Sequence, residues 1–245
     1  MKLIFNDEFD YEGRPDPAKW IHETGGNWHN NEIQYYTDNL ENAYVKNGKL
    51  HIVSLKEKMG TRDYTSARLV THGKFSFMHG KVEVSAKLPH GKGSWPAIWM
   101  LPDSMHTGTA WPLCGEIDIM EHVGKDENMV HVSLHSEKYN HIHHTQETYF
   151  EHIEDVCGSF HKYGCEWDEK SITFLYDDRV VARFFRDYKT DGTAKEQGAE
   201  AWPFNQNFHL LLNTAVGGFW GGDVDESQLP YVFEIEYVRV WQADE

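Results

Sequence analysis

Three carboxylates fall within six residues of otherwise strand-forming sequence, in Gly115-Glu116-Ile117-Asp118-Ile119-Met120-Glu121. Side chains of a β-strand alternate between faces, so Glu116, Asp118 and Met120 share one side while Ile117, Ile119 and Glu121 share the other. Glu121 is out of phase with its acidic partners. One extra residue taken up as a β-bulge, most simply near Met120, rotates it back beside them. Carboxylates held that close cannot all ionise easily, so at least one should keep its proton near neutrality. These are the electrostatics of a retaining glycosidase, in which two carboxyls about 5 to 5.5 Å apart divide the work: one attacks the anomeric carbon and the other protonates the leaving oxygen. A straight strand would leave roughly 16 Å between the Cα atoms of Glu116 and Glu121, so the bulge and inward-leaning side chains must close the gap. A solvated acidic edge or a calcium loop is the plainer alternative. The interleaved isoleucines and the Gly/Pro-rich flanks argue against both.

Other residues have the right character to hold a sugar. Trp95 and Trp99 are spaced by four in Trp95-Pro96-Ala97-Ile98-Trp99, so they share a strand face and form adjacent stacking platforms if that face lines a cleft. Pro96 cannot donate to a ladder, which places the stretch in peripheral pairing. Arg68 follows two small residues in a strand-like run; its planar guanidinium could hold sugar hydroxyls or a backbone carbonyl, the alternative being a surface ion pair. Trp28 and Asn31 lie in the loop from Gly25 to Asn31 and could stack on and hydrogen-bond to sugars, although Asn31 suits an Asx turn equally well. His141, His143 and His144 form a dense group with His131 and His135 upstream. Their spacing could bind zinc, but the polar loop offers no Cys or Asp support and a metal centre there is disfavoured.

Glu-Ile-Asp-Ile-Met-Glu resembles the active-site motif of glycoside hydrolase family 16 in its bulged form, with the extra Met typical of laminarinases. The unbulged form, typical of bacterial lichenases, lacks one residue between the Asp and the last Glu. Asn30-Asn31-Glu32-Ile33-Gln34-Tyr35-Tyr36-Thr37, Ser66-Ala67-Arg68-Leu69, Trp95 to Leu101 and Asn213-Thr214-Ala215-Val216-Gly217-Gly218 also resemble family segments, in family order, so the likeness covers nearly the whole chain. It implies a concanavalin A-like β-jelly roll with a catalytic cleft on its concave face. It also implies retaining endo-hydrolysis of β-1,3-glucosidic bonds in laminarin-type glucans by double displacement. A mixed-linkage β-1,3-1,4-glucanase and a transglycosylase using the same glycosyl-enzyme are the alternatives. By resemblance Glu116 is the nucleophile and Glu121 the acid, with Asp118 perturbing their charge. The candidate sugar contacts are Trp28, Asn31, Arg68, Trp95, Trp99, Asn213 and Trp220, with the Asn-Asn-Glu segment at the glycone end. His135 hydrogen-bonds near the acids in such a fold, where neutral imidazole could orient Asp118 or the nucleophile. Catalysis needs no cofactor. A structural Ca2+ on the convex sheet is implied at Glu8, the Gly48 carbonyl and Glu236, the last standing where the family usually has Asp. By alternation Glu236 faces away from Ile235 and Tyr237. A lectin-like carbohydrate-binding module could share the sandwich, but it gains nothing from three mutually repelling acids.

The elements that must position these groups are strands. Val82, Val84, Ala86 and Leu88 alternate with Lys81, Glu83, Ser85 and Lys87; Ile172, Phe174 and Tyr176, and then Phe233, Ile235, Tyr237 and Trp241, repeat the pattern. No stretch sustains a 3.6-residue period. Ten or more strands separated by Gly, Asp and Asn turns in 245 residues read as two stacked antiparallel sheets and a single domain, 1–245. Nine Trp and twelve Tyr exceed what a core needs and suit the flat C–H faces of sugar rings. With 23 basic against 39 acidic residues, the charge of −16 argues against nucleic acid, membrane surfaces and sulfated polymers, and is compatible with a neutral β-glucan and a monomer. Cys157 and Cys165 could bridge in a secreted protein, whereas Cys114, beside the acidic strand, suits burial. The chain opens without a charged-then-apolar leader; since a polymer-degrading enzyme meets its substrate outside the cell, a trimmed secreted domain is expected.

Overall fold

The computed structural model describes residues 1–243. Its strands are, in chain order, β1 (Lys2–Asp7), β2 (Ile21–His22), β3 (Gln34–Tyr36), β4 (Ala43–Lys46), β5 (Lys49–Ser54), β6 (Tyr64–Ser66), β7 (Arg68–Val70), β8 (Gly80–Lys87) and β9 (Ser94–Pro102). There follow β10 (Glu116–His122), β11 (Met129–His135), β12 (Glu147–His152), β13 (His161–Trp167), β14 (Ser171–Tyr176), β15 (Arg179–Phe185), β16 (Phe208–Val216), the single-turn helix α1 (Gly218–Gly221) and β17 (Tyr231–Gln242). Seven strands form one sheet in the order β12-β11-β10-β9-β16-β7-β2. The other runs β15-β14-β13-β8-β17-β5-β4, with β1 also on β17, and β3 and β6 form a separate parallel pair. The architecture is the expected jelly-roll sandwich.

Alternation fixes which side chains fill the space between the sheets. Val82, Val84, Ala86, Ile172, Phe174 and Tyr176 are all buried in one core with Ile117, Ile119 and Met120 of the facing sheet. Each such side chain contributes roughly 1.5 to 3 kcal/mol by leaving water. The strand that carries the acids is thus anchored in the main apolar core.

Two strand readings are corrected. Pro96 does not demote β9, which lies between β10 and β16 in the middle of its sheet. The ladder to β10 ends at Ala97, so at Pro96 only β16 is paired, through Thr214, and the missing N–H leaves no bond unmade there. In β17 the register shifts between Ile235 and Tyr237, where the strand exchanges β5 for β1 as a neighbour. The shift reverses the alternation: Val238 and Val240 enter the core, while Tyr237 turns outward, donates to Glu83 (2.9 Å) and lies under the Arg239 guanidinium. Cys157 and Cys165 do not bridge. Cys165 is sealed in the core on β13, and Cys157 lies half-buried in a loop at one end of the sandwich. Cys114 is buried, as expected.

Candidate active site

β10 carries the acids and holds the expected bulge. Asp118 pairs with Ser133 and Glu121 with His131, so Ile119 and Met120 of β10 stand against the single Val132 of β11; against β9 the slip lies between Asp118 and Met120. Ile119 and Met120 both point into the core at 0 % exposure, which uses up the extra residue and returns Glu121 to the open face. A row of directly paired residues then crosses five strands: His131, Glu121, Ala97, Asn213, Arg68. Ser133, Asp118, Trp99, Leu211 and Val70 form the next row. Ala97, the smallest side chain of the first row, stands between Glu121 and Asn213.

The three acids are held in a low-dielectric setting. Asp118 is 2 % exposed, and its Oδ2 lies 3.2 Å from His135 Nε2. Burial, and then the charge of Asp118, pushes Glu116 up to about 8. Burial, and then the charge of Glu116, pushes Glu121 up to about 7. Asp118 is raised well above the carboxylate range by burial and by Glu121. The His135 imidazole opposes the rise in both glutamates. The charge of Glu116 raises Glu121, so ionising one disfavours ionising the other and the pair passes through a singly ionised state. That state holds one carboxylate and one carboxylic acid; the higher value of Glu116 leaves the proton there in the free chain, and double displacement uses the form with the proton on Glu121.

Around this centre the concave face is aromatic. Five of the nine Trp, residues 28, 95, 99, 111 and 220, are half-buried along it. Trp95 and Trp99 share the face but are not equivalent platforms. Trp95 donates its indole N–H to Glu121 (3.0 Å) and meets Trp220 edge-on, so it supports the acid, whereas Trp99 donates to Asn213 Oδ1 (2.7 Å). Arg68 lies between Trp28 and Trp99, its guanidinium 4.9 and 4.7 Å from the two rings, and pairs with Glu23 (2.5 Å). The ion-pair reading of Arg68 is what the structure shows, and the pair orients the guanidinium between the two rings. Asn213 Nδ2 donates to the Tyr36 hydroxyl (3.0 Å), which donates in turn to Glu32 (3.4 Å). Asn31 is exposed with φ of 55°, in the left-handed region its residue type tolerates, and the neighbouring Asn30 carbonyl accepts from Phe219 N–H.

The profile described as "Glycosyl hydrolases family 16" matches residues 41–231. The chain belongs to glycoside hydrolase family 16. Among curated family relatives, the beta-glucanase of Rhodothermus marinus is 46% identical over 246 residues, covering 98% of this chain and 85% of that one. The X-ray structure of the laminarinase from Rhodothermus marinus superposes with a TM-score of 0.94, covering 100% of this chain and 98% of that chain. A non-specific endo-beta-1,3(4)-glucanase from family GH16, co-crystallised with 1,3-beta-D-cellotriosyl-glucose, superposes at 0.91 with 40% identity, covering 99% of this chain and 95% of that chain.

The family 16 site includes residues the sequence reading did not single out. The Trp111 indole stands beside Glu116 and favours its ionisation, and its ring lies 6.0 Å from that of His135 and 5.0 Å from that of His141. Its only signal was a Trp-Pro step shortly before the acidic strand. Glu32, raised by burial and accepting from Gln34 (2.8 Å), was legible only inside the Asn-Asn-Glu segment. Among the described residues, the imidazoles of His141, His143 and His144 do not converge into a metal-binding group. The two carboxylates among the implied calcium ligands, Glu8 and Glu236, are otherwise engaged. Both oxygens of Glu8 are taken by Arg239 (2.9 and 2.8 Å), and Glu236 accepts from Ser85 (2.6 Å). A dication there would sit against a guanidinium, so these residues do not fit Ca2+, and Arg239 supplies the cation that joins the first strand to the last.

Proposed function

We propose that this family 16 glycoside hydrolase cleaves β-1,3-glucosidic bonds within laminarin-type glucans by retaining double displacement, with some action on mixed-linkage β-1,3-1,4-glucan. The observation that carries the reading is the Ile119–Met120 bulge, which sets Glu121 on the same face as Glu116 with Asp118 and His135 beside them. In the first displacement the ionised Glu116 carboxylate forms a bond to the anomeric carbon as the glycosidic C–O bond breaks, and Glu121 gives its proton to the departing oxygen. In the second, Glu121 takes a proton from water, whose oxygen displaces Glu116 and restores the β-configuration. Trp95 holds Glu121 in position, and Asp118 with His135 adjusts the charge on both glutamates. The side chains suffice, and no cofactor takes part.

The polymer runs across the strands, its glycone toward the Asn30-Asn31-Glu32 segment with Trp28, Arg68, Trp99 and Asn213 along its path. A neutral glucan meets no repulsion from a chain of charge −16. No helix among the described residues is long and apolar enough to cross a membrane. A secreted monomer suits a polymeric substrate. Product profiles on laminarin, lichenan and agarose test the assignment: laminarin should be cut fastest, into a ladder of short oligosaccharides, and agarose not at all. Faster cleavage of lichenan would transfer the assignment to the mixed-linkage enzyme.

A further inference from the structure

We infer that His90, Glu127 and Cys157 form a zinc-binding site at one end of the sandwich, separate from the acid cluster. The three come from different loops: His90 between β8 and β9, Glu127 between β10 and β11, and Cys157 between β12 and β13. One nitrogen, one carboxylate oxygen and one sulfur, drawn from these residues in turn, all lie within 4.8 Å of one another. His90 Nδ1 is 3.4 Å from Glu127 Oε2. That is longer than a good N–H···O bond. It matches the ligand-to-ligand edge of a tetrahedron with bonds of about 2.0 to 2.3 Å, which is roughly 3.3 to 3.8 Å.

The loops are already held in place. Leu88 N–H donates to the Val156 carbonyl (2.9 Å), Val156 N–H to Asn128 Oδ1 (3.2 Å) and Ile153 N–H to the Asn128 carbonyl (2.8 Å). The Cys157 thiol has only a weak 3.5 Å contact with the Pro89 carbonyl. Close enough to feel the charge of His90 lies His122, with 0 % exposure and no partner on either ring nitrogen. A nitrogen, sulfur and carboxylate set selects a borderline-soft ion of the zinc class over Ca2+ or Mg2+. Water fills the fourth position. As the S–Zn bond forms, the thiol proton passes to solvent, and no electron is transferred. Zinc then clips the turn that follows the catalytic strand to its two neighbours and stabilises the fold by mass action.

The test titrates the purified, metal-stripped chain with ZnCl2 under a non-thiol reductant. One equivalent should bind with micromolar or tighter Kd and raise Tm by several degrees, with hydrolysis at low temperature unchanged. Co2+ in its place should give a thiolate-to-cobalt charge-transfer band in the near ultraviolet. Cys157→Ala should abolish that band and weaken binding at least tenfold; His90→Ala, at an exposed position that leaves the fold intact, should weaken it similarly. Failure of zinc to saturate a site would overturn the inference. So would binding of equal strength in both variants, which would trace the metal to the 141–144 histidines or the acid cluster.

Discussion

At the scale of single residues, the account depends on how protons are shared among Glu116, Asp118 and Glu121. Asp118 acts on Glu116, Glu116 on Glu121 and Glu121 on Asp118 through little solvent, so one change of charge redistributes the rest. The rate should be greatest while the glutamate pair is singly ionised and should fall as pH rises past about 8, where both glutamates have lost their protons. Asp118→Asn removes the largest charge raising Glu116, so the acidic limb of the kcat/KM profile should move to lower pH and kcat should drop by a hundredfold or more. An unmoved profile would make Asp118 structural. Glu121→Ala should nearly abolish hydrolysis of glucan, while azide should restore turnover of aryl glycosides with good leaving groups and yield a β-glycosyl azide. Rescue without that product would remove Glu121 from the acid/base role.

The same pKa shifts bear on stability, with a definite sign. Glu116 and Glu121 bind protons more tightly folded than unfolded, so their contribution is most favourable at low pH. It is lost as pH rises from the ordinary 4.5 toward about 7 and 8. The loss is on the order of 2 kcal/mol per group once water in the cleft is allowed for. Glu116→Gln should therefore melt several degrees above the wild type at pH 8, with the difference nearly gone at pH 5, as followed by calorimetry.

At the scale of elements, the strand content was legible because period-2 runs such as Val82 to Leu88 leave few alternatives. The bulge in β10 could be read because function demanded it: without it one of three acids faces the core. The bulge in β17 carried no such demand. Nothing local distinguishes Tyr237 from a core residue until the exchange of β5 for β1 is known, and that is a tertiary fact. Pro96 misled for the same reason, since a proline's cost depends on whether a partner strand reaches it. Trp111 and Glu32 join the site through loops and distant strands, so spacing alone could not find them.

The β10 bulge also makes a prediction of its own. Deleting Met120 removes the extra residue, and plain alternation then sets all three acids on one face. Such a variant should keep measurable glucanase activity above that of Glu121→Ala. It should also lose about 2 to 5 kcal/mol of stability with the buried methionine. Denaturant melts and initial rates check both parts; a folded but inactive variant would show that the bulge sets the catalytic spacing as well as the phase.

At the scale of the whole molecule, the two sheets divide the work. One core clamps the inner side of β10, so its outer side can hold repelling charges whose cost the fold absorbs, and the aromatic concave face supplies the length a polymer requires. The central claim is that Glu116 is the nucleophile of a retaining reaction. A 2-deoxy-2-fluoro-laminaribioside with an activated leaving group tests it most directly, because the fluorine slows hydrolysis of the glycosyl-enzyme and lets it accumulate. Peptide mass mapping of the inactivated protein should find one disaccharide ester, on Glu116. A label on Glu121, or no covalent adduct together with an α-configured first product, would contradict the mechanism.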